Sequence, residues 1–247
     1  MTNIYLSPST QDWNQYAGKT GSEEFYMNLL ADALEPYLRS SGISFTRNRP
    51  DMTAGSCIRQ ANAGEYDFYL ALHSNASSPR EEGKNRGIIV FYYPGSPEGK
   101  RGAELIAREL RQIYPLPDKV VTRPTTTLGE VARSRAPAAL AEIGYHDNYA
   151  DARWLEGHWD AIAQQLARAM TSFFGLPFIP PMKPVVGTVD VEQGGLNLRA
   201  APSFQAPVRD VLPDGSEVTV LGEWQGWYVI RAGEQSGYAA AAYIDLP

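Results

Sequence analysis

One cysteine in 247 residues, Cys57, leaves the chain without an internal disulfide and without a cysteine-built structural zinc site. It reads as a small core residue with no chemistry of its own. Histidine is scarce too: three occur, His73, His146 and His158. Positive charge is short as well. The 22 Lys and Arg stand against 28 Asp and Glu, a net charge of −6, which favours neither nucleic acid nor an anionic membrane surface as partner. No apolar run approaches the roughly 18 residues of a membrane span. The stretch MTNIYLSPST has neither the basic segment nor the apolar core of a secretory signal, so action outside the cell calls for an export route not visible here.

What is present is an alternation of apolar runs and amphipathic stretches. Asn3–Leu6 reads as a short strand, and the Ser-, Thr-, Gln- and Asn-rich stretch from Ser7 to Gly21 reads as a functional loop. From Glu23 to Arg39, Phe25, Leu29, Leu30, Ala33, Leu34, Tyr37 and Leu38 recur at helical spacing, and Gly42 closes the helix. Ile43–Arg47 predicts a second strand, and Met52–Gly64 a helix crossing back to a third in a right-handed βαβ unit. That third strand is the centre of the chain. Phe68, Tyr69, Leu70, Ala71 and Leu72 form the continuous apolar run of a strand covered on both faces, and it delivers His73 at its carboxyl end, where such sheets bind ligands.

Gly87–Tyr93 predicts another buried strand, Gly99–Tyr114 an amphipathic helix, and Asp151–Phe174 a closing helix with His158 as a surface or half-buried residue. Pro137–Tyr145 predicts a strand that carries Glu142 among apolar neighbours. An ionised carboxylate that is buried and unpaired costs several kcal/mol, which places Glu142 at a strand end near a cation. The expected fold class is α/β: a three-layer αβα sandwich with a mostly parallel sheet over residues 1–176. Proline then concentrates. Pro177–Pro184 holds four prolines in eight residues, which predicts a stiff linker. Beyond it, residues 185–247 alternate apolar and polar side chains between Gly-rich turns, which predicts a small all-β barrel.

LHSNAS at Leu72–Ser77, PAALAEIGY at Pro137–Tyr145 and the paired Glu23 and Glu24 together resemble the zinc-dependent N-acetylmuramoyl-L-alanine amidases, over about Asn3–Gly175. LNLRAAPS at Leu196–Ser203, LPDGSEVTVLGEWQGWYVIR at Leu212–Arg231 and SGYAAAAYI at Ser236–Ile244 resemble bacterial SH3-like domains, similar to modules that dock cell-wall enzymes onto peptidoglycan. The resemblance implies a peptidoglycan hydrolase that acts at the cell wall or outside the cell, cuts the amide bond between N-acetylmuramic acid and L-alanine, and uses Zn2+. It implies zinc ligation by His73 and by Glu24, the latter through its spacing to Asn28. It implies Glu142 as the catalytic glutamate that takes a proton from water and returns it to the leaving amine. Asn75 is a candidate for bracing the loop or touching substrate, and Arg47, with Arg59, for meeting the acidic stem peptide.

The departure lies at the first ligand. Where those amidases carry D-P-G-H-G, this chain has Ser7-Pro8-Ser9-Thr10-Gln11, and a threonine hydroxyl is not a usual zinc donor. His146, four residues after Glu142, is a candidate replacement that would complete a set of Glu24, His73 and His146. Gly144 would let the strand turn so that His146 points back toward the face of Glu142. Gln11 is the rival donor, and an exposed loop histidine that contacts substrate or nothing is the third alternative. The same departure keeps a second function open: a metal-free, non-catalytic protein that binds peptidoglycan or regulates another hydrolase.

Overall fold

The computed structural model describes residues 2–247. They fall into two compact units, the first comprising Asn3–Leu34 and Phe45–Phe173, the second Glu35–Ser44 with Phe174–Pro247.

In chain order the first part of the chain gives β1 (Asn3–Pro8), α1 (Glu23–Ser40), β2 (Ser44–Arg47), α2 (Ala54–Ala63), β3 (Phe68–Asn75), β4 (Ile88–Tyr92), α3 (Pro97–Leu110), β5 (Val120–Pro124), α4 (Gly129–Ala132), β6 (Ala138–Tyr145), α5 (Tyr149–Gly157) and α6 (Trp159–Phe174). Six strands form one sheet in the order β2-β1-β3-β6-β4-β5, with helices on both faces. β1, β3 and β6 run parallel, and β4 meets β6 antiparallel. The apolar run of β3 lies at the middle, with Phe68, Tyr69, Leu70, Ala71 and Leu72 all fully buried. On one face Tyr5, Tyr69, Ala71, Ala138 and Leu140 pack with Cys57 and Ala61 of α2 and Val131 of α4. α3 comes close enough that a Cβ on Gly102 would lie 2.4 Å from the Phe68 ring.

Most elements lie where the pattern puts them, with three differences. The closing helix is two helices, because His158 leaves helical geometry (φ −132°) as the C-cap of α5. Its Nδ1 lies 2.7 Å from the Trp154 carbonyl, and its side chain is exposed, as read from sequence. β5 and α4 fall where sequence reading assigned nothing. α3 begins earlier than read, at Pro97, because Ser96 caps it by accepting from the Gly99 N–H.

At the end of β6 the pairing changes step. His73 pairs with Glu142 and Asn75 with Tyr145, so β6 carries one extra residue, and Gly144 takes φ +78°. Asp151, fully buried, accepts from the Tyr145 and Gly87 amides, from Arg86 Nε at 2.7 Å and from Tyr114 Oη at 2.7 Å, which fixes this bend.

The second unit carries β7 (Val185–Val189), β8 (Gly195–Arg199), β9 (Val208–Pro213), β10 (Glu217–Trp224), β11 (Trp227–Ala232), β12 (Gln235–Ala240) and β13 (Ile244–Asp245) in an antiparallel sheet of order β13-β7-β10-β11-β12-β8-β9. Val189, Leu198, Val218, Val220 and Ile230 form its core. The proline-rich stretch is not a free spacer. Ile179 packs with Leu221, Trp227, Val229 and Tyr238, and its backbone bonds to the hydroxyls of Ser40 and Ser41. Of the aromatics, Trp227 is buried and Trp224 is partly exposed.

Candidate functional site

The site lies at the carboxyl ends of β1, β3 and β6. Because Ser9 N–H donates to the Leu72 carbonyl and His73 pairs with Glu142, residues from all three strands reach one row across the sheet. They open into a cleft of about 350 Å³ that Ser9, Thr10, Gln11, His73, Glu130 and Glu142 help to line.

His73 is held between two carboxylates. Its Nδ1 lies 2.8 Å from Glu23 Oε1 and its Nε2 lies 2.8 Å from Glu130 Oε2. Glu23 is the first residue of α1, whose first turn is capped by the Ser22 hydroxyl accepting from the Phe25 N–H. Asn14 Nδ2 donates to Glu23 Oε2 at 2.8 Å, and the Gln11 amide lies 3.5 Å from Oε1. Glu130 Oε1 accepts from Ser7 Oγ at 2.7 Å and from Tyr69 Oη at 2.8 Å.

Burial alone would depress the imidazole's pKa. The Glu130 charge and the hydrogen bonds to both glutamates outweigh it and hold His73 well above its ordinary value. Burial would likewise raise Glu23 and Glu130, yet pairing with His73 holds both below the usual carboxylate range. Glu142 differs. Its Oε2 is buried with no hydrogen-bond partner among the described residues, and burial pushes its carboxyl up to about 7. The His73 charge pulls it down, and Glu23 and Glu130 push it further up.

His146 is buried, and Tyr16 stacks on it with ring centroids 5.5 Å apart. The turn at Gly144 brings its Nδ1 to 2.9 Å from the Ser74 carbonyl and 4.0 Å from Glu23 Oε2. Its backbone accepts from Ala17 N–H and donates to the Asn75 carbonyl, so the long loop after β1 is anchored at this point.

Residues 9–172 match the protein family described as N-acetylmuramoyl-L-alanine amidase. The chain belongs to that family. Residues 194–245 match the bacterial SH3 domain. No curated protein matches the chain. Among solved structures, it is similar to N-acetylmuramoyl-L-alanine amidase AmiC2 of Nostoc punctiforme, at 16% identity and TM-score 0.62, over 70% of this chain and 97% of that one. The catalytic domain of CwlV, an amidase from Bacillus (Paenibacillus) polymyxa var. colistinus, matches at 16% identity and TM-score 0.63, over 72% and 100%. The catalytic domain of the CD27L endolysin targeting Clostridia Difficile matches at 19% and 0.59, over 70% and 98%. At these identities the structures show a shared fold.

Measured against the amidase motifs, the pair of helix glutamates needs a correction. Glu23, not Glu24, meets His73, because the first residue of α1 turns into the sheet's end while Glu24 accepts from Asn28 Nδ2 at 3.2 Å. Arg47 belongs to the frame: it donates to Asp32 Oδ1 and Asn28 Oδ1, which ties β2 to α1. Asn75 braces its own loop, its Oδ1 accepting from the Ala76 N–H. Gln11 lines the cleft beside Glu23.

The expected set of Glu24, His73 and His146 is not assembled: among the described residues no three of His, Cys, Asp and Glu are arranged around one point. The residues present do not make the zinc site of the amidases: Thr10 stands where the resembled motif has a histidine, and Glu23 and His73 Nδ1 meet directly at 2.8 Å, as a carboxylate and a protonated imidazole do. Glu130 itself was not singled out from sequence, since a four-residue helix has no periodicity to expose it.

Proposed function

We propose that this amidase-family chain hydrolyses the amide bond between N-acetylmuramic acid and L-alanine in peptidoglycan, with its SH3 domain holding it at the cell wall. The observation that carries the reading is Glu142: a half-buried residue whose Oε2 is buried and unpartnered among the described residues, lining the cleft one strand from His73. A carboxyl that titrates at about 7 suits a group that takes a proton from water and then gives it to the leaving amine. His73, fixed at both ring nitrogens, supplies stationary positive charge beside it when protonated. The hydroxyls of Ser9 and Thr10 and the amide of Gln11 line the cleft as donors for the substrate's carbonyl groups.

Met52, Leu128 and Leu140 form the apolar part of the same cleft. A second reading, recognition of peptidoglycan without cleavage, is favoured by Thr10 standing where the resembled motif has a histidine. Incubating the full chain with purified peptidoglycan distinguishes the two: cleavage releases peptides whose first residue is L-alanine with a free amine, and recognition alone releases none.

A further inference from the structure

The loop joining β1 to α1 is tied down along its length and still leaves one large side chain in the open. Asn14 Nδ2 donates to Gln11 Oε1 at 3.1 Å and to Glu23 Oε2 at 2.8 Å, and the Glu23 N–H donates back to the Asn14 carbonyl. Tyr16, 1% exposed, stacks on His146, and the Ala17 N–H donates to the His146 carbonyl at 2.7 Å. Between these anchors Trp13 is 68% exposed and lines the cleft that holds His73 and Glu142. Its exposure is not that of slack chain, and an aromatic ring on a fixed loop binds a ligand at little ordering cost.

The rest of the lining indicates what the indole meets. Ser9, Thr10 and Gln11 supply neutral polar groups, and Met52, Leu128 and Leu140 apolar surface. Among the described residues the charged lining is His73, Glu130 and Glu142, with no Lys or Arg. An acidic peptide therefore finds one cation in this cleft, and Glu23 and Glu130 already engage it. An N-acetylated sugar ring of the glycan carries no charge to neutralise. Its hydroxyls and amide suit the polar groups, and the C–H face of its ring suits a flat aromatic surface. We infer that Trp13 is the glycan-binding residue of this cleft: its indole stacks on a hexosamine ring beside the scissile amide and fixes the sugar side of the substrate relative to Glu142. That role presupposes peptidoglycan as the substrate, and it is read by binding, apart from cleavage.

The test is isothermal titration of the full chain carrying Glu142→Gln, which leaves the probe intact, with two soluble probes: the disaccharide-dipeptide unit of peptidoglycan and the dipeptide alone. Adding Trp13→Ala is expected to weaken binding of the disaccharide-dipeptide about 10-fold, the worth of covering roughly 60 Å² of apolar surface. Trp13→Phe, which keeps a smaller ring, is expected to fall between them and serves if Trp13→Ala does not fold. Binding of the dipeptide and the thermal midpoint are expected to stay the same in all three, since an exposed side chain adds little to the fold. The substitutions lie outside the SH3 domain, so any binding there is common to every variant. Equal affinity of Trp13→Ala and its parent for the disaccharide-dipeptide, no binding of that probe, or a loss that the dipeptide shares would each overturn the role. A chain that binds the sugar through Trp13 yet leaves peptidoglycan uncut refutes the hydrolysis reading alone, and one that cuts while Trp13→Ala binds unchanged refutes this role alone.

Discussion

His73 and Glu142 are register partners on the adjacent parallel strands β3 and β6, so their side chains leave the sheet on the same face at its carboxyl edge. Adjacent strands lie about 4.8 Å apart, which sets the spacing between the clamped imidazole and the orphaned carboxyl before any loop is considered. The loops then decide what each group sees: two carboxylates for His73, no partner for Glu142 Oε2.

That contrast predicts a pH effect on stability in metal-stripped protein. Glu142 titrates at about 7 in the folded chain against an ordinary 4.5. The folded state therefore holds this proton more tightly than the unfolded state, and the group's contribution is lost as pH rises through that window. Glu142→Gln does not titrate. Urea unfolding at about pH 5 and about pH 8 is expected to show the wild type losing ground against the variant at the higher pH. A constant difference between the two proteins would mean that Glu142 is not perturbed.

Much of this was legible from residue order. The run from Phe68 to Leu72 places His73 at a strand end, and Gly144 permits the turn that brings His146 back. The choice between Glu23 and Glu24 was not legible, since neighbouring helical residues differ by a rotation that only the helix's docking resolves. Glu130 was hidden for another reason: its partners Ser7 and Tyr69 lie 123 and 61 residues away, and no local pattern encodes such a convergence.

The contact of α3 with β3 depends on a missing side chain. Gly102→Ala sets a Cβ 2.4 Å from the buried Phe68 ring and is expected to cost about 1–3 kcal/mol, as overpacking does. Gly157→Ala, with nothing within 4 Å, is the control. Thermal unfolding of the two variants checks this, and equal midpoints would contradict the packing account.

The SH3 domain carries a cleft of about 490 Å³ lined by Phe204, Trp227 and Tyr243, with Phe204 69% and Tyr243 48% exposed. If this face holds the wall, Phe204→Ala with Tyr243→Ala in the full chain is expected to weaken co-sedimentation with insoluble peptidoglycan about 2–10-fold. Cleavage of soluble muropeptides should not change. Unaltered sedimentation would assign wall binding to another surface.

The central claim is tested by mass spectrometry of the products that the full chain releases from purified peptidoglycan, compared with those of Glu142→Gln. The account predicts peptides with a free amino-terminal L-alanine from the wild type and a rate lower by about 10²–10⁴-fold in the variant. No such peptides from the wild type, or a variant that retains more than roughly a tenth of the rate, would contradict it.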